Sequence, residues 1–133
     1  MKIKDKGKKA SPDALALQMA VAEIAAEAWR YERALGKALK KMDVMDAERF
    51  SRQYEYFANR VDRAVAMAGL RVMDWTGSAF SVGLPVQAMN LDEFDEDAPL
   101  VITQMIEPVV MLDGRVIKTG MVMVGAKQDQ TED

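Results

Sequence analysis

The stretch LVITQMIEPVVMLDGRVIKTGMVMV, residues 100–124, decides how the second half of this chain folds. Its first half is rich in β-branched residues, which favours an extended strand. Asp113-Gly114 then supplies a two-residue hairpin turn, and a returning strand follows it. Alternation in the returning strand predicts one face with Val116, Lys118, Gly120, Val122 and Val124 and an opposite face with Ile117, Thr119, Met121 and Met123. We therefore predict a small C-terminal β-domain over residues 70–125.

The part of this domain that precedes the hairpin carries weaker signals. Residues 70–75 predict a short strand that leads into a turn. Residues 81–91 contain a glycine and a proline, so we expect irregular structure there. Residues 92–97, DEFDED, are expected to form a solvated acidic loop, because they lack the ligand spacing of a calcium-binding loop.

The first half of the chain carries helical signals. Ser11-Pro12-Asp13 marks a helix start, since serine caps the first turn, proline is tolerated at the first helical position and aspartate interacts favourably with the helix dipole. We predict a helix from about residue 12 to about residue 41. Its apolar residues are separated alternately by four and three positions, which is a heptad seam. They are Leu17, Val21, Ile24, Ala28, Tyr31, Leu35, Ala38, Met42 and Met45.

The seam changes phase at residues 42–46, MDVMD. This shift fits either one continuous helix with a stutter or a tight turn in which Asp43 or Asp46 caps a second helix, and we favour the turn. The second helix is expected to end at Gly69, because glycine readily adopts the left-handed conformation of a helix C-terminus. Its own seam, again in four-three alternation, is Phe50, Tyr54, Phe57, Val61, Ala64 and Ala68.

Two narrow seams on a helical hairpin leave apolar surface facing water. A second copy of the chain removes that surface by completing a dimeric four-helix bundle or coiled coil. We therefore predict an α+β fold in which residues 11–69 form a helical dimerisation region and the small β-domain follows. The expected dimer interface consists of Leu17, Val21, Ile24, Tyr31, Leu35, Met42, Phe50, Tyr54, Phe57 and Val61.

The two ends of the chain differ in charge. Residues 1–41 carry 10 Lys and Arg against 5 Asp and Glu, whereas residues 90–133 carry 3 against 10. Residues 1–10, MKIKDKGKKA, predict a flexible basic arm, and residues 126–133 predict a disordered tail. We expect the arm to bind neither nucleic acid nor membrane, because it has no interleaved aromatics and no amphipathic face. A nucleic-acid-binding coiled coil is kept as an alternative that requires this arm.

The composition excludes most catalytic chemistry. The chain has no Cys and no His, which removes thiolate nucleophiles, disulfides, the commonest metal ligand and the usual neutral-pH general base. No phosphate-binding glycine loop and no hydrolase or metalloprotease motif is present in the sequence. We predict a protein that is not an enzyme and that uses no cofactor and no metal. Because the sequence has no uninterrupted apolar span of about 20 residues, we expect a soluble, cytoplasmic protein.

Three short motifs occur in a fixed order along the chain. Residues 29–35, WRYERAL, are similar to a DNLERAL motif near the end of a long helix. Residues 69–74, GLRVMD, together with Gly77 and Phe80, are similar to a GVEVID entry into a β-domain. Residues 112–125, LDGRVIKTGMVMVG, resemble a terminal LNGRxIRxAxVxV hairpin. These are motifs of the GrpE family of nucleotide exchange factors, which this chain resembles as a short and divergent example.

The resemblance covers roughly residues 27–125 and departs from the family at two places. Residues 84–89, LPVQAM, stand where the family usually has a His in an HEA-like motif. Residues 105–110, MIEPVV, stand where it usually has QKGY. The family's long N-terminal stalk is nearly missing as well, because only 30 residues precede Tyr31 in the sequence. Functions linked to that stalk are not carried over.

The resemblance implies a homodimeric co-chaperone that places one β-domain against the nucleotide-binding domain of a DnaK-type chaperone and releases ADP. The factor itself binds no nucleotide. The partner contacts carried over to this sequence are Arg115 at the hairpin tip and, on the β-domain, Val124 and Ile106, each of which equally fits a core position. Met105 is a further candidate. The alternative function is a dimeric adaptor or assembly subunit that keeps this shape without exchange activity.

Overall fold

The computed structural model describes residues 11–127, and the predicted arm and residues 128–133 of the predicted tail lie outside the described residues. Two helices come first, and six short strands follow them, which confirms the predicted α+β class. The elements are α1 Pro12–Leu39, α2 Val44–Met67, β1 Leu70–Met73, β2 Val86–Ala88, β3 Leu100–Glu107, β4 Val109–Leu112, β5 Arg115–Lys118 and β6 Gly120–Ala126.

The helices form a hairpin rather than one continuous helix. The side chain of Ser11 caps α1 by accepting a hydrogen bond from the amide of Ala14 at 3.1 Å. Asp43 caps α2 in the same way through the amide of Asp46 at 2.9 Å, as the sequence predicts. Gly69 follows the end of α2 with a φ of 80°, which confirms the predicted terminator.

The six strands form two three-stranded sheets, which together we call the β-module. Sheet 1 has the order β1-β4-β5 and sheet 2 the order β2-β6-β3. The Asp113-Gly114 turn is confirmed, with φ values of 51° and 79° that are typical of a type I′ hairpin. The hairpin around this turn is shared by the two sheets. Its strands next to the turn, β4 and β5, lie in sheet 1, and its outer strands, β3 and β6, lie in sheet 2.

The hairpin therefore bends, and the prediction of one unbroken strand on each side of the turn is wrong. Pro108 separates β3 from β4, because proline has no amide hydrogen to donate to a sheet. Thr119 separates β5 from β6. The pairing of β4 with β5 also shifts between Val110 and Met111. In β5 Ile117 packs toward the helices while Val116 is exposed, whereas in β6 Val122 and Val124 are buried. The face predicted to run from Val116 to Val124 is therefore buried in β6 and exposed at Val116.

The segment expected to be irregular contains a strand. β2 pairs in parallel with the beginning of β6, with Val86 opposite Gly120. Asn90 contacts β6 two residues beyond the last backbone pair. Its side-chain amide donates to the carbonyl of Val124 at 2.9 Å and its side-chain oxygen accepts from the Val124 amide at 3.0 Å. The first acidic residues that follow belong to a short 3-10 turn, Leu91–Glu93.

Two clusters of buried side chains hold these parts together. The helix-facing core joins α1 and α2 to sheet 1 and consists of Ala22, Ala25, Val65, Leu70, Val110 and Leu112. The module core lies around sheet 2 and consists of Leu100, Ile102, Met105, Val109, Val122 and Val124. Trp29 of α1 and Trp75 both pack against the module core, so α1 contacts both clusters.

Two further features of residues 11–127 bear on function. No helix in this part of the chain is long and apolar enough to cross a membrane. The same residues contain no group of three or more Asp or Glu side chains placed to hold a metal ion.

The bend generates a stability prediction at Gly120. A Cβ added there would lie 2.8 Å from the carbonyl oxygen of Glu107 and 3.1 Å from a methyl carbon of Val109. Relieving the clash with a backbone atom requires the strands to shift, which costs free energy. We therefore expect Gly120→Ala to lower the free energy of unfolding by about 1–3 kcal/mol, measured by urea denaturation. Gly83→Ala is the matched control, since nothing lies within 4 Å of its added Cβ, and we expect a change below about 0.5 kcal/mol. Equal effects of the two substitutions would show that the close approach does not shape the bend.

Candidate partner-binding surfaces

The predicted seam is divided between the surface and the interior. Leu17, Ile24 and Tyr31 lie seven residues apart on α1 and are 68%, 68% and 59% exposed. Phe50 and Phe57 of α2 are also exposed. The rings of Tyr31 and Phe57 meet edge to face with centroids 6.0 Å apart, so the two helices contribute to one surface. We call these five residues the apolar stripe.

The other predicted interface residues are half-buried in this single chain: Val21, Leu35, Met42, Tyr54 and Val61. Val21 and Val61 pack against the helix-facing core. The hydroxyl of Tyr54 lies close to Gly36, where an added Cβ would be 3.7 Å from it, so this side chain reaches across to α1. The predicted seam is therefore divided: its half-buried residues lie within the single chain, and the residues of the apolar stripe face outward.

A second apolar face of α1 was not anticipated. Ala22, Ala25 and Ala26 are 1–3% exposed and, with Trp29, follow the spacing of one helix face. This face packs against the β-module. The signal in the sequence is the run AVAEIAAEAW at residues 20–29, in which alanines recur at helical spacing beside the larger seam residues.

Arg115 lies at the tip of the β-module, directly after the tight turn. Its side chain is exposed, and it forms no ion pair with any acidic residue of the described chain. A guanidinium in this position has its donors available for a carboxylate of another protein. Of the predicted partner contacts, this one has a location that suits the role.

The three apolar contacts differ in accessibility. Ile106 is half-buried at the end of β3. Met105 and Val124 are 2% and 3% exposed in the module core, so their side chains are not available to a partner in this conformation. They pack inward because β3 and β6 pair around the core of sheet 2, and removing them from it would expose apolar surface. Arg115 and Ile106 lie in different sheets, so the four residues do not form one patch.

Charged side chains fix α1 against the β-module. Arg33 donates to Asp74 at 2.9 Å, and its guanidinium lies 4.6 Å from the ring centroid of Trp29. Lys118 lies 3.3 Å from Glu23 and 3.5 Å from Glu107, which links α1, β3 and β5. These ion pairs link α1 to the β-module beside the packing of Trp29.

Glu32, next to Tyr31 of the apolar stripe, is placed unfavourably for a carboxylate. Burial raises the pKa of Glu32, and the neighbouring charge of Asp62 on α2 raises it further. Ionised Glu32 is therefore less stable in the folded chain than in the unfolded chain. The raised pKa means that protonated Glu32 favours the folded chain. This stabilisation is fully present below the ordinary pKa of 4.5 and is lost as pH rises through the higher pKa of the folded state.

We expect Glu32→Gln to raise the midpoint of thermal unfolding at neutral pH, because it removes the ionised group and its repulsion from Asp62. The gain should disappear below the ordinary pKa of 4.5, where the native side chain is protonated in both states. Circular dichroism melts of both proteins across this pH range measure the difference. Glu55→Gln, at an exposed position of α2, is the control and should show no such pH-dependent gain. A gain that persists at low pH would contradict this assignment.

The segments that depart from the GrpE motifs have structural roles here. Residues 84–89 contain β2, which closes the edge of sheet 2, and residues 105–110 contain Pro108, where the hairpin bends. Both segments lie in the β-module rather than on the helices.

In comparisons with known proteins, no family model, no curated protein and no solved structure matches this chain.

Proposed function

We propose that this chain is a GrpE-like nucleotide exchange factor that acts as a homodimer and opens the nucleotide-binding domain of a DnaK-type chaperone. The observation that carries the proposal is the exposed Arg115 at the tip of a compact β-module that is fixed to a helical hairpin. The order of these parts and the motifs around residues 29–35, 69–74 and 112–125 support it. The proposed protein has no chemistry of its own and works in the cytoplasm, where its partner binds ATP.

The proposed mechanism is a shift between two conformations of the chaperone. The β-module binds the open nucleotide cleft better than the closed cleft, so complex formation favours the open state and ADP dissociates. A rigid module suits this mechanism, because it does not adapt equally well to both states. The ties from Arg33 and Lys118 to Asp74 and Glu23 support such rigidity.

The apolar stripe supports the dimer. Its five large side chains include three that are more than half exposed, and Tyr31 of α1 is in contact with Phe57 of α2. Covering such a surface with a second copy is favourable by roughly 25 cal/mol for each Å² of apolar area removed from water. A dimeric bundle built on this surface leaves the β-module free to bind the chaperone.

The exchange activity is tested with the chaperone from the same cell, loaded with fluorescent ADP. We expect the purified protein to accelerate ADP release, and we expect Arg115→Ala to reduce this acceleration at least about tenfold, since hydrogen bonds to charged groups contribute about 1.5–3 kcal/mol. Lys127→Ala, an exposed cation that follows β6, is the matched control and should retain activity. If the native protein does not accelerate ADP release, the exchange function is contradicted and the dimeric adaptor is favoured. A pull-down with this chain would then recover a partner without a DnaK-type ATPase domain.

The dimer is tested separately by sedimentation. Ile24→Glu places a charge in the middle of the apolar stripe, and we expect it to raise the dimer dissociation constant at least about 100-fold, because the substitution affects both copies and each buried isoleucine contributes about 1.5–3 kcal/mol. Met67→Glu is the control, since Met67 is 81% exposed but lies outside the stripe. A native chain that sediments as a compact monomer at micromolar concentration would contradict the proposed dimer.

A further inference from the structure

The β-module contains an open groove that the proposed exchange function does not use. Its volume is about 790 Å³, which lies within the roughly 300–1,000 Å³ typical of ligand pockets. Phe80 and Phe94 line it and also pack against the module core, so the core continues into the groove as apolar surface. Val82 and Leu91 line it too and are 88% and 42% exposed. A concave apolar surface that remains open to water marks a binding site for another molecule.

The groove lies in the most acidic part of the chain. Its lining includes four carboxylates, those of Asp92, Asp95, Glu96 and Asp97. Residues 72–114 carry eight Asp and Glu and no Lys or Arg, and the whole chain has no His. Within residues 11–127, only Asp74 and Glu107 of these eight form an ion pair, and neither lines the groove. The described part of the chain therefore provides no cation for the four carboxylates of the groove.

We propose that this groove binds a cationic segment of another protein, in which large apolar side chains lie next to lysines or arginines. The apolar side chains cover the lining formed by Phe80, Val82 and Phe94, and long cationic side chains reach the carboxylates beside it. A purely apolar segment would desolvate those carboxylates without pairing them, and an anionic segment would be repelled. A purely polar cationic segment would leave the apolar lining exposed.

The exposure of Val82 favours a polypeptide segment over a small molecule. Because this side chain is 88% exposed, a ligand that covers it must extend from the groove onto the surrounding surface. A peptide backbone passes through an open groove and can do this. The lining residues fall within residues 80–100, whereas Arg115 belongs to sheet 1, so the proposed contact uses a surface separate from the exposed tip.

The test measures binding of a short fluorescein-labelled peptide, in which Lys and Leu alternate, to the full chain by fluorescence anisotropy. A second peptide of the same length and charge has Ser in place of Leu. We expect the Lys-Leu peptide to bind at least about tenfold more tightly, because only this peptide removes apolar side chains from water. Its affinity should fall severalfold in about 0.5 M NaCl, where charges are screened within a few Å.

Two triple variants locate the charge contribution. We expect the groove variant to weaken binding of the Lys-Leu peptide at least about tenfold, and the control to weaken it less than about threefold, because nearby charges act more strongly than distant ones. All six substituted positions are exposed, and thermal midpoints check that both variants fold. The groove variant carries Asp95→Asn, Glu96→Gln and Asp97→Asn, and the control on α2 carries Glu48→Gln, Glu55→Gln and Asp62→Asn.

A single pair of variants locates the apolar contribution. Val82→Ser removes apolar surface from the groove, and we expect it to weaken binding of the Lys-Leu peptide at least about threefold. Val44→Ser is the matched control, because Val44 is a valine with 80% exposure at the start of α2, and its substitution should leave the affinity unchanged.

Three results would overturn the proposal. Equal affinities for the two peptides, or equal weakening by the two triple variants, would show that binding follows net charge alone. If the groove variant lowers the oligomeric state of the chain in sedimentation, the groove binds a second copy instead of another protein. None of these measurements involves a chaperone or a nucleotide, so this proposal and the proposed function can fail independently.

Discussion

The close approach of α1 to the β-module is the contact on which the rest of the structure depends. Ala22, Ala25 and Ala26 are almost fully buried, and the single methyl groups of Ala22 and Ala25 let the helix lie near sheet 1. A larger side chain on this face would separate the helix from the strands and open space in a packed interior. Because Trp29 continues the same face into the module core, the position of α1 determines the position of both sheets.

The bend of the long hairpin depends on a second small residue. Gly120 brings the start of β6 against the carbonyl of Glu107, and Pro108 ends the pairing of β3 on the other side. The hairpin tip therefore packs with the helices, while the other end of the same hairpin forms the module core. This division explains why Arg115 is exposed and Val124 is buried although both belong to one hairpin. A straight hairpin would form one sheet and leave one of the two clusters without a partner.

The sequence predicts local structure better than it predicts the partners of each element. Ser11 and Asp43 cap the helices through their side chains, and Gly69 and Asp113-Gly114 act through their backbone geometry. These effects are local, so the caps and the turn follow directly from residue type. The alanine face of α1 is harder to recognise, because alanine favours helix whether it is buried or exposed. Residues 92–97 show only their charge in the sequence, whereas the apolar surface beside them includes Phe80, which comes 12 residues before Asp92. Met105 and Val124, which are predicted as partner contacts, lie in the module core, and β alternation alone does not say which face meets the core.

The two apolar faces of α1 determine whether the proposed dimerisation and the proposed chaperone binding would compete for the same surface. At about 100° per residue, the stripe residues Leu17, Ile24 and Tyr31 lie roughly 150° around the helix from the alanine face. A second copy seated on the stripe would therefore approach α1 from the side opposite the β-module. Pairing and client binding would use separate surfaces, and each copy would keep its tip accessible. Because Arg33 and Lys118 tie the module to α1, the orientation of each tip would then follow from the packing of the helices rather than from a flexible linker.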